Sequence, residues 1–264
     1  MSERAFHALH HTGKPLLLPN AWDFASAVAL AGAGFAAVGT TSLGVAAAAG
    51  LPDGDGLARA ETVALMRRLR GLRCPVTVDI ESGFSEDPAE VGALAAELAE
   101  LGAAGVNIED GRPHGTLADP GHQAELIAAV KRSAPGLFVN ARVDTYWSGM
   151  DALPAGTIER ALRYLAAGAD GIFVPGPDRD DHIGELVSAI PAPVNILFLP
   201  HRHTLARLTE LGVRRISTGS LLFRVALRTA VDTARAIRDN HPVTAEAPSY
   251  QEVDAMTRSV RTQA

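Results

Sequence analysis

LGAAGVNIE (101–109) recurs in outline at AGAGFAAVG (31–39), AGADGIFVP (167–175) and LGVRRISTG (211–219). Each copy closes a helical stretch at a glycine, turns, and enters a short β-type run. Glycine takes the left-handed conformation that ends a helix without steric cost, so the unit reads helix, turn, strand. Working outward, β-type runs fall at 16–21, 36–42, 76–81, 105–110, 137–144, 171–176, 194–200 and 215–219. Most are too continuously apolar to have one face in water, which is the signature of buried parallel strands. Amphipathic stretches such as 88–101, 158–167 and 181–190 lie between them. Eight strands alternating with helices predict an α/β fold, a closed (β/α)8 TIM barrel. The alternative is an open doubly wound sheet, and no GxGxxG follows the first run to support it.

The whole chain, 1–264, is expected to form one barrel domain. Its tail carries more helix than one repeat needs: 221–240 and 249–261, separated by HPVTAEAP. Such a surplus, within 221–264, either packs on the body or is lent to another subunit.

Composition narrows the function. Apolar residues make up 47% of the chain and charged ones 20%, enough for a sizeable core and too apolar for disorder. The net charge is −6 with no basic run, which argues against nucleic acid as a partner. Neither a signal core at the N-terminus nor a run of about 20 apolar residues is visible, so no membrane association is expected. Cys74 is the single cysteine, which excludes an internal disulfide and suits a reducing, cytoplasmic setting. Lys14 precedes the first strand and Lys131 falls in a helix, and no other lysine exists. A Schiff-base aldolase therefore lacks its nucleophile.

Active sites of such barrels lie at the C-terminal ends of the strands. Polar residues interrupt the apolar runs there: Thr41 and Ser42 after the second, Asp79 and Glu81 in the third, Glu109 and Asp110 in the fourth, Arg142 and Asp144 in the fifth. The period of two places Asp79 and Glu81 on one face, the barrel interior. Converging carboxylates repel one another unless a cation neutralises them, and oxygen donors suit Mg²⁺, or Mn²⁺ in its place. No Cys/His cluster favours a softer ion. Arg142 is then available to hold an anionic group by a two-pronged bond. The plain alternatives are ion-paired wall residues for Asp79, Glu81 and Glu109, and simple neutralisation of Asp144 by Arg142. Asp110 is read as supporting its loop. Asp53 and Asp55, in GLPDGDG (50–56), are either turn formers or neighbours of the ion's waters and the substrate.

LPNAWD (18–23), TTSLGVAAAAGLPDGD (40–55), PVTVDIESGF (75–84), GAAGVNIED (102–110), NARVDTY (140–146) and GADGIFVPG (168–176), in this order, resemble the isocitrate lyase/phosphoenolpyruvate mutase superfamily. The resemblance covers roughly residues 15–225. It implies Asp79 as direct Mg²⁺ ligand, with Glu81 and Glu109 reaching the ion largely through waters. It implies Thr41, Ser42 and Leu43 as the cradle for a substrate carboxylate and oxo oxygen. Asp53 would sit beside metal-bound water and substrate, and Arg142 would grip the far anionic group. It also implies a homo-oligomer, a dimer or dimer of dimers, with a C-terminal helix swapped between subunits.

The departures fall in the lid. The lyase branch carries a Lys-Lys-Cys-Gly-His or Lys-Arg-Cys-Gly-His loop after the fourth strand, and the phosphonomutase branch a Lys-Thr-Asn-Ser-type lid. Here that region is EDGRPHGTLAD (109–119), without cysteine or asparagine. Cys74 precedes the third strand and sits at the wrong end to substitute. His114 is the replacement candidate, or else an exposed loop histidine; His201 and His203 follow the seventh strand as weaker ones. The expected activity is a Mg²⁺-dependent carbon–carbon lyase or decarboxylase on a small 2-oxo- or 2-hydroxy-dicarboxylate, through an enolpyruvate-like intermediate. The alternatives are P–C bond chemistry on a phosphonate and a non-catalytic 2-oxo-acid-binding protein.

Overall fold

In the computed structural model, which describes residues 3–261, the eight anticipated runs are all strands of one parallel sheet. They are β1, in two segments Leu16–Leu18 and Asn20–Ala21, then β2 (Val38–Thr40), β3 (Val76–Asp79), β4 (Gly105–Glu109), β5 (Phe138–Arg142), β6 (Gly171–Val174), β7 (Val194–Leu197) and β8 (Arg215–Ser217). Pro19 divides β1. Its first segment pairs with β8 and its second with β2, so the ring closes through this one strand. The seam is stitched by Asn20, whose Oδ1 accepts from the Thr218 and Gly219 N–H groups, both at 3.0 Å. The result is the expected TIM-type barrel. Residues 1–2 and 262–264, the ends of the expected domain, lie outside the described residues.

The repeat glycines do what the sequence asks of them. Gly34, Gly102, Gly168 and Gly212 all have φ between 84° and 105°, each just past a helix end. The helices they close are α2 (Phe24–Gly32), α5 (Pro88–Glu100), α8 (Pro154–Ala166) and α10 (Leu205–Glu210). The remaining outer helices are α4 (Arg59–Leu69), α6 (Pro120–Ser133) and α9 (Asp180–Ala189), and a short α3 (Ser42–Ala48) and α7 (Thr145–Ser148) follow β2 and β5.

Alternation along the strands divides the molecule into two environments. Val76, Val78, Val106, Ile108, Val139 and Ile172 face outward into the main apolar core beneath the helices. The inward set is polar in its middle: Asn140 Nδ2 donates to Asn107 Oδ1 at 2.9 Å, and Arg215 Nη2 donates to the same oxygen at 3.1 Å. Below that layer, Phe138 meets Phe6 of α1 (Glu3–Leu9), which plugs the barrel floor. Above it, the same period of two delivers Asp79, Glu109 and Arg142 to the rim.

The tail begins and ends its helices close to expectation, as α11 (Leu221–Arg238) and α12 (Tyr250–Arg261). Phe223 is anchored against Trp22, their rings 5.5 Å apart. Beyond that, α11 leaves the body and exposes Val225, Leu227, Val231 and Ile237. The last helix, α12, returns to pack against α2 of the same chain. Among the described residues, no helix is long and apolar enough to cross a membrane.

Candidate active site

A cavity of about 710 Å³ opens at the C-terminal ends of the strands. Thr41, Ser42, Leu43, Asp53, Asp79, Glu109, His114 and Arg142 all line it, and so do Asp55 and Asp144. Glu81 does not. β3 ends at Asp79, and Glu81 lies beyond it with φ of 50°, so the strand period that was expected to align the two side chains has already stopped. Its carboxylate turns toward the loop after β2 and accepts from the Gly56 N–H at 3.0 Å. Oε1 of Glu81 is buried without a partner.

Asp79 is fixed by its backbone and its neighbour. Its N–H donates to Thr40 Oγ1 at 2.8 Å, and its Oδ1 accepts from the Glu81 N–H at 3.2 Å. Burial pushes its pKa up to about 6, against the attraction of Arg142 and with the help of Asp53. Burial also pushes Glu81 up to about 7, opposed by the Gly56 N–H and reinforced by Asp53, Asp79 and Asp55. Glu109 is raised well above the ordinary carboxylate range by burial, and Asp53 is raised for the same reason despite the opposing pull of Ser42 and Arg142. Burial thus raises the cost of the charged form at all four carboxyls.

Arg142 is the cation they share. Its Nη1 lies 2.7 Å from Glu109 Oε2, and its Nε donates to Asp144 Oδ1 at 2.6 Å. Burial opposes the charge, but Glu109 and Asp144 outweigh it and raise the pKa of Arg142. Neutralisation of Asp144, one of the two readings of Arg142, is therefore part of what it does, together with lining the cavity.

The donor set fits a hard dication. Asp79 and Glu109 offer oxygens to the cavity, and Glu81 keeps an unsatisfied oxygen behind them. Among the described residues, no three His, Cys, Asp or Glu side chains are grouped to hold an ion by themselves. A site with few direct protein bonds and several waters is what Mg²⁺ favours.

His114 reaches the cavity on a feature the sequence did not announce, a two-stranded hairpin of Gly111–Arg112 and Thr116–Leu117. The turn between them is tight, with φ of 63° at His114 and 72° at Gly115. His201 and His203 do not line the cavity; His203 is buried and accepts from the Leu199 N–H at 3.2 Å. Cys74 is buried before β3, at the far end of the barrel.

Other lining residues went unread: Arg112, Trp147, Thr218, Ser220, Arg224 and the apolar 197–200 segment. The polar STGS (217–220) after the eighth run was the available signal, since every barrel strand delivers its C-terminal end to this rim.

Glu81→Gln tests the electrostatics without touching the cavity lining. The folded protein prefers neutral Glu81, so the stability it contributes is present below about pH 4.5 and is lost as pH rises through about 7. Without divalent cation, the variant is expected to match the native protein near pH 4.5 and exceed it by about 3 kcal/mol at pH 8. Urea unfolding at the two pH values measures this; equal stability at pH 8 contradicts it.

Comparison with known proteins agrees with this architecture. The phosphoenolpyruvate phosphomutase family model matches residues 6–238. An uncharacterized protein of Mycobacterium tuberculosis (strain ATCC 25618 / H37Rv) is 47% identical over 251 residues, covering 95% of each chain. A 2-methylisocitrate lyase of Bacillus subtilis (strain 168) is 31% identical over 207 residues, covering 75% of this chain and 64% of the relative. The solved complex of phosphonopyruvate hydrolase with oxalate and Mg²⁺ shares the fold, with a TM-score of 0.85 at 23% identity over 99% of this chain and 97% of that one. The chain therefore belongs to the phosphoenolpyruvate phosphomutase family, within the isocitrate lyase/phosphoenolpyruvate mutase superfamily.

Proposed function

We propose that this protein is a Mg²⁺-dependent lyase or decarboxylase that cleaves a carbon–carbon bond in a small 2-oxo- or 2-hydroxy-dicarboxylate. The observation that carries the reading is the rim itself: Asp79, Glu109 and Asp53 share one cavity with Arg142, and burial holds all three carboxyls above their ordinary pKa. Asp79 would hold the ion, with Glu109 and Glu81 behind its waters; Mn²⁺ fits the same donors. When bound, Mg²⁺ supplies a Lewis acid that polarises a 2-oxo group and stabilises developing negative charge by several kcal/mol.

This chain's own residues supply orientation and proton movement. Thr41, Ser42 and Leu43 form the wall that would receive the carboxylate and oxo oxygen. Arg142, braced by Glu109 and Asp144, would grip the far anionic group in a fixed orientation. In a 2-oxo-dicarboxylate, breaking the C3–C4 bond releases carbon dioxide and leaves the electron pair as a pyruvate-type enolate. In a 2-hydroxy-dicarboxylate, the hydroxyl proton passes to a carboxylate such as Asp53 as the C2–C3 bond breaks, releasing an oxo acid and leaving the pair as an enolate centred on C3. The enolate then takes a proton at C3, for which His114 on the hairpin is the nearest candidate in kind. Asp53, which lines the cavity with Ser42, stands where it would orient water or substrate.

The test is a screen of oxaloacetate, 2-methylisocitrate, alkylmalates and phosphonopyruvate with Mg²⁺ or Mn²⁺, reading pyruvate or glyoxylate. Product formation is expected to cease in excess EDTA and return with Mg²⁺. Full turnover after verified metal loss contradicts the proposal. A second reading, P–C bond chemistry, draws on Arg112 and Arg224 in the cavity wall, which suit a phosphonate's extra charge. Phosphorus NMR of phosphonates incubated with enzyme and Mg²⁺ separates it from the first. The same scaffold without catalysis, a 2-oxo-acid-binding protein, would bind without product in either assay. A homo-oligomer, with α11 lent to a second copy, would give its exposed apolar residues a cover, and we place the protein in the cytoplasm.

A further inference from the structure

We infer that Asp110 is a positioning residue that sets the orientation of Arg142 and roots the hairpin carrying His114. The role rests on the reading of Arg142 as the grip for the substrate's far anionic group. Asp110 follows the end of β4, is 0% exposed, and does not line the cavity. A buried carboxylate is tolerated only where its lone pairs are satisfied, and here they are taken up by specific partners. Oδ2 accepts from the Tyr164 hydroxyl at 2.7 Å and from Arg160 Nη1 at 3.0 Å, both on α8. Oδ1 accepts from the Asp144 N–H at 2.8 Å.

These bonds fix the residue that holds Arg142. Asp144 Oδ1 accepts from Arg142 Nε, while the Asp110 N–H donates to the Arg142 carbonyl at 3.1 Å. The bonds thus secure both ends of Arg142: its backbone directly, its guanidinium through Asp144. Gly111 completes the constraint. A Cβ there would lie 2.3 Å from Asp144 Oδ2, so only glycine lets the chain pass over that carboxylate. The hairpin is rooted at the same point. The Ala118 N–H donates to the Asp110 carbonyl at 2.8 Å, and Arg160 Nη1 donates to the Ala118 carbonyl at 3.0 Å. One buried carboxylate therefore joins α8, the end of β5 and the stalk of the 111–117 hairpin. A grip for an anion has to be held within a fraction of an ångström, and a bonded partner behind it is how proteins achieve that.

The experiment uses Tyr164→Phe, which removes one bond and keeps the ring, and Asp110→Asn, with Leu186→Ala in the core of α9 as a destabilising control. The first readout is hydrogen exchange of the Arg142 Nε–H, followed by NMR and assigned by its loss in Arg142→Lys. Exchange is expected to quicken about tenfold in both variants and to stay native-like in the control. The second is the kinetics of whichever acid the screen identifies: KM is expected to rise about tenfold with kcat nearly unchanged in Tyr164→Phe. Unchanged exchange in Tyr164→Phe, or equal quickening in Leu186→Ala, overturns the assignment. Because exchange needs no substrate, a native protein without turnover would defeat the functional reading while this result still stood or fell by itself.

Discussion

Asp79→Ala is expected to abolish turnover, by about a thousandfold or more, and to remove divalent-dependent binding of oxalate in calorimetry. Asp79 is the one carboxylate that ends a barrel strand, lines the cavity and has no arginine bonded to it. Its oxygens are turned to the rim by the Thr40 hydroxyl under its own N–H and by the Glu81 N–H on Oδ1. Removing it leaves Glu109 tied to Arg142 and Glu81 turned to the Gly56 loop, neither placed to take over. The fold is expected to survive. At pH 8 the buried Asp79 carboxylate is ionised at a cost, and losing it relieves repulsion on Glu109 and Glu81, so the metal-free variant is expected to melt no lower than the native protein at that pH. Loss of binding with an unchanged or raised melting temperature supports the assignment. Retained divalent-dependent binding contradicts it.

Arg142→Met carries the opposite signature: function and fold fail together. The guanidinium is the direct partner of both Glu109 and Asp144, and its removal strands two buried carboxylates. Breaking a buried pair on one side costs about 3–5 kcal/mol, because the remaining charge is left uncompensated. Both carboxyls are already raised by burial, and they are raised further once the arginine is gone. Their stability contribution is then present at low pH and lost as pH rises, so the deficit is expected to be large at pH 8 and much smaller near pH 5. Urea denaturation at the two pH values measures this difference. An equal deficit at both would mean that Arg142 contributes packing rather than charge. Arg142→Lys keeps the charge without the fork, and is expected to restore much of the stability but little of the substrate affinity.

The barrel was legible because its signals are local and repeated. Four glycine-ended helices entering apolar strands announce the same unit four times, and each strand was found where its apolar run stood. The break at Pro19 was not read, although a proline without a donor N–H inside a central strand is a place for pairing to lapse. Most of the rim was legible for the same reason, since Asp79, Glu109 and Arg142 sit where a period-two strand meets its end. Glu81 shows the limit of that argument. The period holds only while the strand does, and one left-handed residue after Asp79 turned its carboxylate into another loop. The Asp110–Tyr164–Arg160 set could not be read at all, because its members are 50 and 54 residues apart and only the packed fold brings them together. Tyr164 falls within the amphipathic 158–167 stretch, where nothing local marks its hydroxyl as a partner for Asp110. Arg224 is hidden differently, in the first turn of a helix that the sequence assigns to the tail.

The most direct test of the account is anomalous diffraction from crystals grown with Mn²⁺ and oxalate. One strong peak is expected inside the strand-end cavity, bonded to a carboxylate oxygen of Asp79, with oxalate beside Ser42 and Arg142. A cavity that stays free of anomalous signal under saturating Mn²⁺, or an ion bound there without contact to Asp79, would contradict it.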